Sequence, residues 1–169
     1  MKIYLIGFMG AGKSYLGKLL AERLSLPFFD FDTLIEQKTK RSITDIFKIS
    51  GEETFRDYET ELLTQLNEYG VIATGGGIIE RAENRVLLKN RAHITVWLNT
   101  EWHTIQRRLS LPQQTQSIRP KVDQLSTTEL YELWRRRLPL YEEVADLTNT
   151  DGMIENLESQ ILELHKAHL

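Results

Sequence analysis

The sequence predicts an α/β fold, a parallel sheet covered by helices on both faces. Two observations carry this. Short apolar runs ending in glycine or aspartate alternate with longer stretches of helical periodicity, the order that builds strand–helix–strand units. A glycine-rich segment, Gly7-Phe8-Met9-Gly10-Ala11-Gly12-Lys13-Ser14, sits between the first such run and the first helical stretch, at the edge where open parallel sheets hold their ligands. With 169 residues, the chain is long enough for one well-buried core and too short for two.

Each element follows in order. Residues 2–7 (KIYLIG) read as a buried strand. Residues 13–24 place Leu16, Leu19, Leu20 and Leu24 at helical spacing. Pro27 to Asp32 reads as a second strand. Helical stretches follow at 33–40, 44–50 and 52–69, the last two separated by Gly51. Val71 to Thr74 is a third strand, closed by Gly75-Gly76-Gly77. A helix over 81–90 leads to a fourth strand at 93–98 and a helix over 101–110. Residues 111–124 are polar, proline-flanked and aperiodic, the pattern of a lid loop. A helix over 126–144, interrupted near Pro139, precedes a short fifth strand at 145–148. A terminal helix runs from Met153 to about His165. There is no internal repeat and no interdomain linker, so a single domain spanning 1–169 is expected.

Composition excludes several classes. Apolar residues make up 41% and charged residues 27%, ordinary for a globular chain and not for a disordered one. Cysteine is absent, which removes disulfides, thiolate metal sites and a cysteine nucleophile. A net charge of −3 lacks the basic excess of a nucleic-acid binder, so no nucleic-acid partner is expected. No apolar run reaches the roughly 18 residues of a membrane span, so no membrane partner is expected either. Gly7, Gly10, Gly12 and Lys13 interrupt the N-terminal apolar run before a signal peptide can form. Mature protein from Met1, hence a cytoplasmic location, is expected.

The glycine-rich segment matches G-x-x-x-x-G-K-[ST]. Its glycines let the backbone curl until successive N–H groups face one phosphate; the lysine reaches the outer phosphates, and the serine hydroxyl can ligate Mg²⁺. Chance would give such a match in a chain this long about once in 200, so nucleotide binding is the firmest reading. Asp30 and Asp32 flank Phe31 at the carboxyl end of the second strand, where alternation would put both carboxylates on one face. One suits a water-mediated Mg²⁺ contact and the other the proton of an acceptor hydroxyl, although Asp32 also suits an N-cap. Arg56, taken alone, fits the solvated face of a helix. Gly75-Gly76-Gly77 suits close approach of backbone to a ligand, or a plain tight turn. Arg119, in the polar loop, can close over transferring phosphates or simply face solvent. Of Arg135, Arg136 and Arg137, at most one or two can face a ligand.

Taken together, these motifs resemble the shikimate kinase family over nearly the whole chain. The residues are GFMGAGKS (7–14), Asp30-x-Asp32, I-x-x-I-F (43–47), GEETFR (51–56) with Glu59, and TGGG (74–77). They continue with RRL (107–109), Arg119-Pro120, R-x-P-L-Y (137–141) and NTD (149–151). The family often carries two leucines after the lid Arg-Pro, where this chain has Lys121-Val122 and a glutamine-rich stretch at 113–116.

The resemblance implies a three-layer sandwich with a five-stranded parallel sheet, of the P-loop, nucleoside-monophosphate-kinase-like kind. It implies a lid at about 111–124 and a helical substrate-binding part at about 33–61. It implies a shikimate 3-kinase that uses ATP as co-substrate and Mg²⁺ as cofactor, acting as a monomer. Gly10, Ala11, Gly12, Lys13, Ser14 and Tyr15 would wrap the ATP phosphates. Ser14 and Asp30 would serve Mg²⁺, and Arg107 or Arg108 would meet the adenine. Asp32, Arg56, Gly75, Gly76, Gly77 and Arg137 would bind shikimate. Asp32, Lys13 and Arg119 would carry the chemistry. A related small-metabolite kinase, such as a gluconate kinase, and a non-catalytic nucleotide-binding module are the alternatives.

Overall fold

A computed structural model describes residues 1–111, 123–150 and 152–167. Five strands form one sheet: β1 (Lys2–Ile6), β2 (Phe28–Asp30), β3 (Gly70–Ala73), β4 (Ile94–Leu98) and β5 (Leu147–Asn149). Their order is β2-β3-β1-β4-β5, and every pairing is parallel. The helices are α1 (Lys13–Arg23), α2 (Phe31–Thr39), α3 (Ile43–Gln65), α4 (Ala82–Leu88), α5 (Trp102–Ser110), α6 (Thr127–Val144) and α7 (Ile154–Ala167).

The sheet divides two cores by strand alternation. Ile3, Leu5, Val71, Ile94, Val96 and Leu98 pack with Leu16 and Leu20 of α1 and with Leu157 and Ile161 of α7. Tyr4, Ile6, Ile72 and Trp97 face the other way, onto Leu63, Leu88, Ile105, Leu133 and Tyr141. The three layers and the parallel sheet are those expected. Because β1 sits mid-sheet with β3 and β4 on either side, the loop after β1 lies where the strand order reverses, and a ligand crevice opens at such a point. A smaller cluster of Ile35, Ile43, Ile46 and Phe55 packs α2 against α3. No helix among the described residues is long and apolar enough to cross a membrane.

Several boundaries differ from the sequence reading. The second strand stops at Asp30, because Asp30 caps the next helix: its carboxylate accepts from Asp32 N–H at 3.0 Å. Asp32 therefore lies in the first turn of α2, and strand alternation does not relate the two carboxylates. Helix α3 bends at Gly51 (φ 84°, ψ 168°), as the predicted split requires, but ends at Gln65. A 3₁₀ turn over Ile78–Glu80 precedes α4. Helix α6 runs unbroken through Pro139. Pro139 and Arg135, four residues earlier, are both exposed, so water can reach the carbonyl that loses its donor. A capping box of Ser126 and Glu129 starts the same helix. The fifth strand begins at Leu147.

The half-buried His93 contributes a pH dependence to the fold. His93 Nε2 donates to Leu88 O at 3.1 Å, and its ring meets Tyr4 edge-on with centroids 4.8 Å apart. Burial holds its pKa below the ordinary 6.5. The unfolded chain therefore takes up this proton first as the pH falls, and the contribution of His93 to stability declines through the window below 6.5. We expect His93→Gln, whose amide can still donate to Leu88 O, to lose less stability than the parent between about pH 7.5 and about pH 5.5 in urea melts. Equal losses in the two proteins would remove His93 as the cause.

Candidate active site

The carboxyl edge of the sheet gathers three loops. After β1, Gly10 and Gly12 take φ of 82° and 98°, left-handed values that glycine adopts without strain. Gly12 is the N-cap of α1 and brings no side-chain cap, so the first helical N–H groups are left for an anion. Lys13 Nζ donates to the carbonyls of Gly7 at 2.7 Å and Phe8 at 3.0 Å, which folds the ammonium over the loop. The Tyr15 side chain is 74% exposed, in the first turn beside this cradle. From α5, Arg108 Nη1 donates to Gly10 O at 2.9 Å; both Arg108 and the preceding Arg107 are exposed. Of the two arginines, Arg108 is the one joined to the phosphate loop.

The second loop brings the carboxylates. Ser14 Oγ donates to Asp30 Oδ2 at 2.6 Å, pairing two hard oxygen donors of the kind Mg²⁺ accepts alongside phosphate and water. Asp32, half-buried, is pushed up to about 7, first by burial and then by the charges of Asp30 and Glu59, against the pull of Lys13. Those influences place Asp32 within reach of Lys13 in the phosphate loop and of Glu59 on α3.

The third group was only partly legible. Arg56 is 6% exposed, which overturns the solvated-face reading of this residue. Arg56 Nη1 donates to Glu59 Oε2 at 2.5 Å and Nη2 to Glu52 Oε1 at 2.9 Å. Glu59 is fully buried; burial pushes its carboxyl up, and the guanidinium groups of Arg56 and then Arg137 oppose that. Arg137 is 1% exposed. Its Nε donates to Glu80 Oε1 at 2.7 Å, and its Nη2 has no hydrogen-bond partner. Among the three arginines at 135–137, Arg137 alone is buried, whereas Arg135 and Arg136 are exposed.

The triple glycine has a steric cause. None of the three takes a left-handed φ. A Cβ on Gly77 would overlap the Arg56 guanidinium, one on Gly75 would overlap the Glu59 carboxylate, and one on Gly76 would come within 3.1 Å of the Met9 nitrogen. The backbone approach inferred from the glycines is real, and its neighbours include the buried ion pair as well as the phosphate loop. Tyr141 OH donates to Gly76 O at 2.5 Å and its ring stacks on Trp97 at 5.9 Å, tying this loop to α6. Glu52, Glu80 and Tyr141 were not singled out as site residues in the sequence. Spacing three and four residues from Arg56 signals Glu59 and Glu52, whereas nothing local joins Glu80 to Arg137. Arg119 lies outside the described residues.

A family model described as shikimate kinase matches residues 9–165. The chain belongs to the shikimate kinase family. The shikimate kinase of Enterococcus faecalis is 38% identical over 164 residues, covering 95% of this chain and 96% of the relative. That of Dictyoglomus turgidum is 41% identical over 145 residues, covering 84% and 83%. Among solved structures, the shikimate kinase of Acinetobacter baumannii in complex with shikimate has a TM-score of 0.80 at 38% identity, covering 98% of this chain and 93% of that one. The Bacteroides thetaiotaomicron enzyme has a TM-score of 0.82 at 31% identity, covering 98% of each chain. The nucleoside-monophosphate-kinase-like fold and an ATP-using transferase of this family follow.

Because Gly77 faces a guanidinium held between two carboxylates, Gly77→Ala should destabilise the protein by about 1–3 kcal/mol, the range for overpacking a core. It should also disturb Arg56. Thermal melts check the first effect; a melting temperature equal to the parent's would show that Arg56 yields without cost.

Proposed function

We propose that the chain transfers the γ-phosphoryl group of ATP to the 3-hydroxyl of shikimate, giving shikimate 3-phosphate and ADP. The observation that carries this reading is the pair of buried guanidinium groups, Arg56 and Arg137, beside the phosphate loop. Arg137 Nη2 is a buried donor with no partner, and a ligand carboxylate relieves that desolvation. Shikimate offers one carboxylate and three hydroxyls. The carboxylate suits the forked arginines, and the hydroxyls suit Asp32.

The geometry supports the following roles for the chain's own residues. The α1 N-terminus, Lys13 and Arg108 hold the nucleotide at the reversal of strand order. Ser14 and Asp30 would hold Mg²⁺, which supplies charge neutralisation at the phosphates when bound. Arg56 and Arg137 fix the acceptor by its carboxylate, with the Gly75, Gly76 and Gly77 backbone alongside. Asp32 orients the acceptor hydroxyl and takes its proton. A carboxyl pushed up to about 7 is well matched to that task near neutral pH. Catalysis is then mostly positioning for in-line transfer. On the sequence resemblance, Arg119 is assigned to the transferring phosphates. The resemblance to the shikimate kinase family supports action as a monomer, and dependence on ATP supports a cytoplasmic location.

Coupled ADP release with Mg²⁺-ATP is the test, with shikimate and gluconate as rival acceptors. Shikimate-dependent release is expected; release with gluconate alone would move the chain to the related kinase. Arg137→Ala should raise KM for shikimate by about 30-fold or more, the scale of a truncated buried charge contact, with a much smaller change for ATP. Asp32→Asn should lower kcat by about 10²-fold or more, the range of general-base help. Near-normal turnover in that variant would take Asp32 out of the chemistry.

A further inference from the structure

We infer that Glu80 is a positioning residue for the substrate carboxylate and acts through Arg137. Arg137 lies in the middle of α6 with a long, flexible side chain that is nonetheless 1% exposed. A guanidinium serves as a fork only if its plane is fixed. Glu80 and Phe8 both hold this one, beside the Tyr141 hydroxyl one turn along the helix. Glu80 Oε1 accepts from Nε at 2.7 Å, and the guanidinium carbon lies 5.6 Å from the centre of the Phe8 ring. Glu80 engages the inner nitrogen of the fork and leaves Nη2, which has no protein partner, for a ligand. The carboxylate therefore orients the donor without occupying the end that recognition uses.

Glu80 is itself well placed for this. It closes the 3₁₀ turn Ile78–Glu80, directly after the triple glycine. One turn after Arg137 on α6, Tyr141 donates to Gly76 O. The segment from Gly76 to Glu80 thus meets α6 at two points four residues apart, and Arg137 has little freedom to swing. Arg136 Nη2 also donates to Glu80 Oε1, at 3.1 Å, but from a side chain 62% exposed. An exposed pair of this kind contributes little energy, so the bond to Arg137 is the consequential one.

The inference rests on the reading of Arg137 as a ligand for shikimate. The test uses the full chain and steady-state kinetics. Glu80→Ala should raise KM for shikimate about tenfold, leaving kcat and KM for ATP within about twofold. Glu80→Gln keeps an oxygen acceptor for Nε and should stay within about threefold of the parent KM. In an Arg137→Lys background, which has no Nε to engage, Glu80→Ala should add less than about twofold. If Glu80→Ala does not fold, Glu80→Met serves in its place, matching the length without an acceptor. An unchanged KM in a folded variant overturns the inference while the shikimate reading stands. So does a lowered KM, which would make Glu80 a competitor for Arg137. A tenfold rise that persists undiminished in the Arg137→Lys background also overturns it, because the effect would not pass through Arg137. A parent protein with no shikimate-dependent ADP release would overturn both readings.

Discussion

The arrangement at the substrate side depends on one constraint: two guanidinium groups are buried, and each needs compensation. Arg56 has Glu59 and Glu52; Arg137 has Glu80. Removing one partner from such a pair typically costs about 3–5 kcal/mol, because the other charge is left desolvated. The surrounding chain is shaped to keep the partners in place. Glycines at 75 and 77 clear the space that Glu59 and Arg56 fill. Helix α3 carries Glu52, Arg56 and Glu59 on one face. The Tyr141 bond to Gly76 holds the glycine segment against α6. These features are consequences of enclosing charge in the fold.

The phosphate side obeys a different logic. Its centre uses backbone N–H groups, a helix end and one lysine, all set by a curled main chain, with Arg108 joining from α5. That is why it was readable in sequence: eight consecutive residues encode it, and a strand before and a helix after confirm its setting. The five strands were readable for the same reason, since apolar runs are local. Pro139 misled because an exposed proline can be carried by a long helix whose neighbours supply packing. The end of β2 misled because Asp30 serves two partners, capping α2 and accepting from Ser14.

The substrate side was legible only in fragments. Arg56, judged alone, resembled any surface arginine; its burial follows from Glu59 and Glu52 together with the glycines, which are about twenty residues away in sequence. The glycines suited a close backbone approach or a plain tight turn; none has a left-handed φ, and the close neighbours include the Arg56 and Glu59 side chains, which the sequence did not point to. Glu80 and Arg137 are brought together by the packing of the 3₁₀ turn Ile78–Glu80 on α6, and no local periodicity encodes that meeting. The family resemblance supplied roles for Arg56 and Arg137 that spacing alone did not.

The stacking of Trp97 on Tyr141 has an optical consequence. Trp97 belongs to β4 and is 7% exposed, while Tyr141 reaches through its hydroxyl to the Gly76 carbonyl. The other two tryptophans, Trp102 and Trp134, pack against each other and against Tyr131, in a separate group on α5 and α6. The chain thus carries a native fluorophore wired to its glycine segment, distinguishable by environment from the remaining indoles. Movement of that segment is open to direct observation through emission, without any attached label.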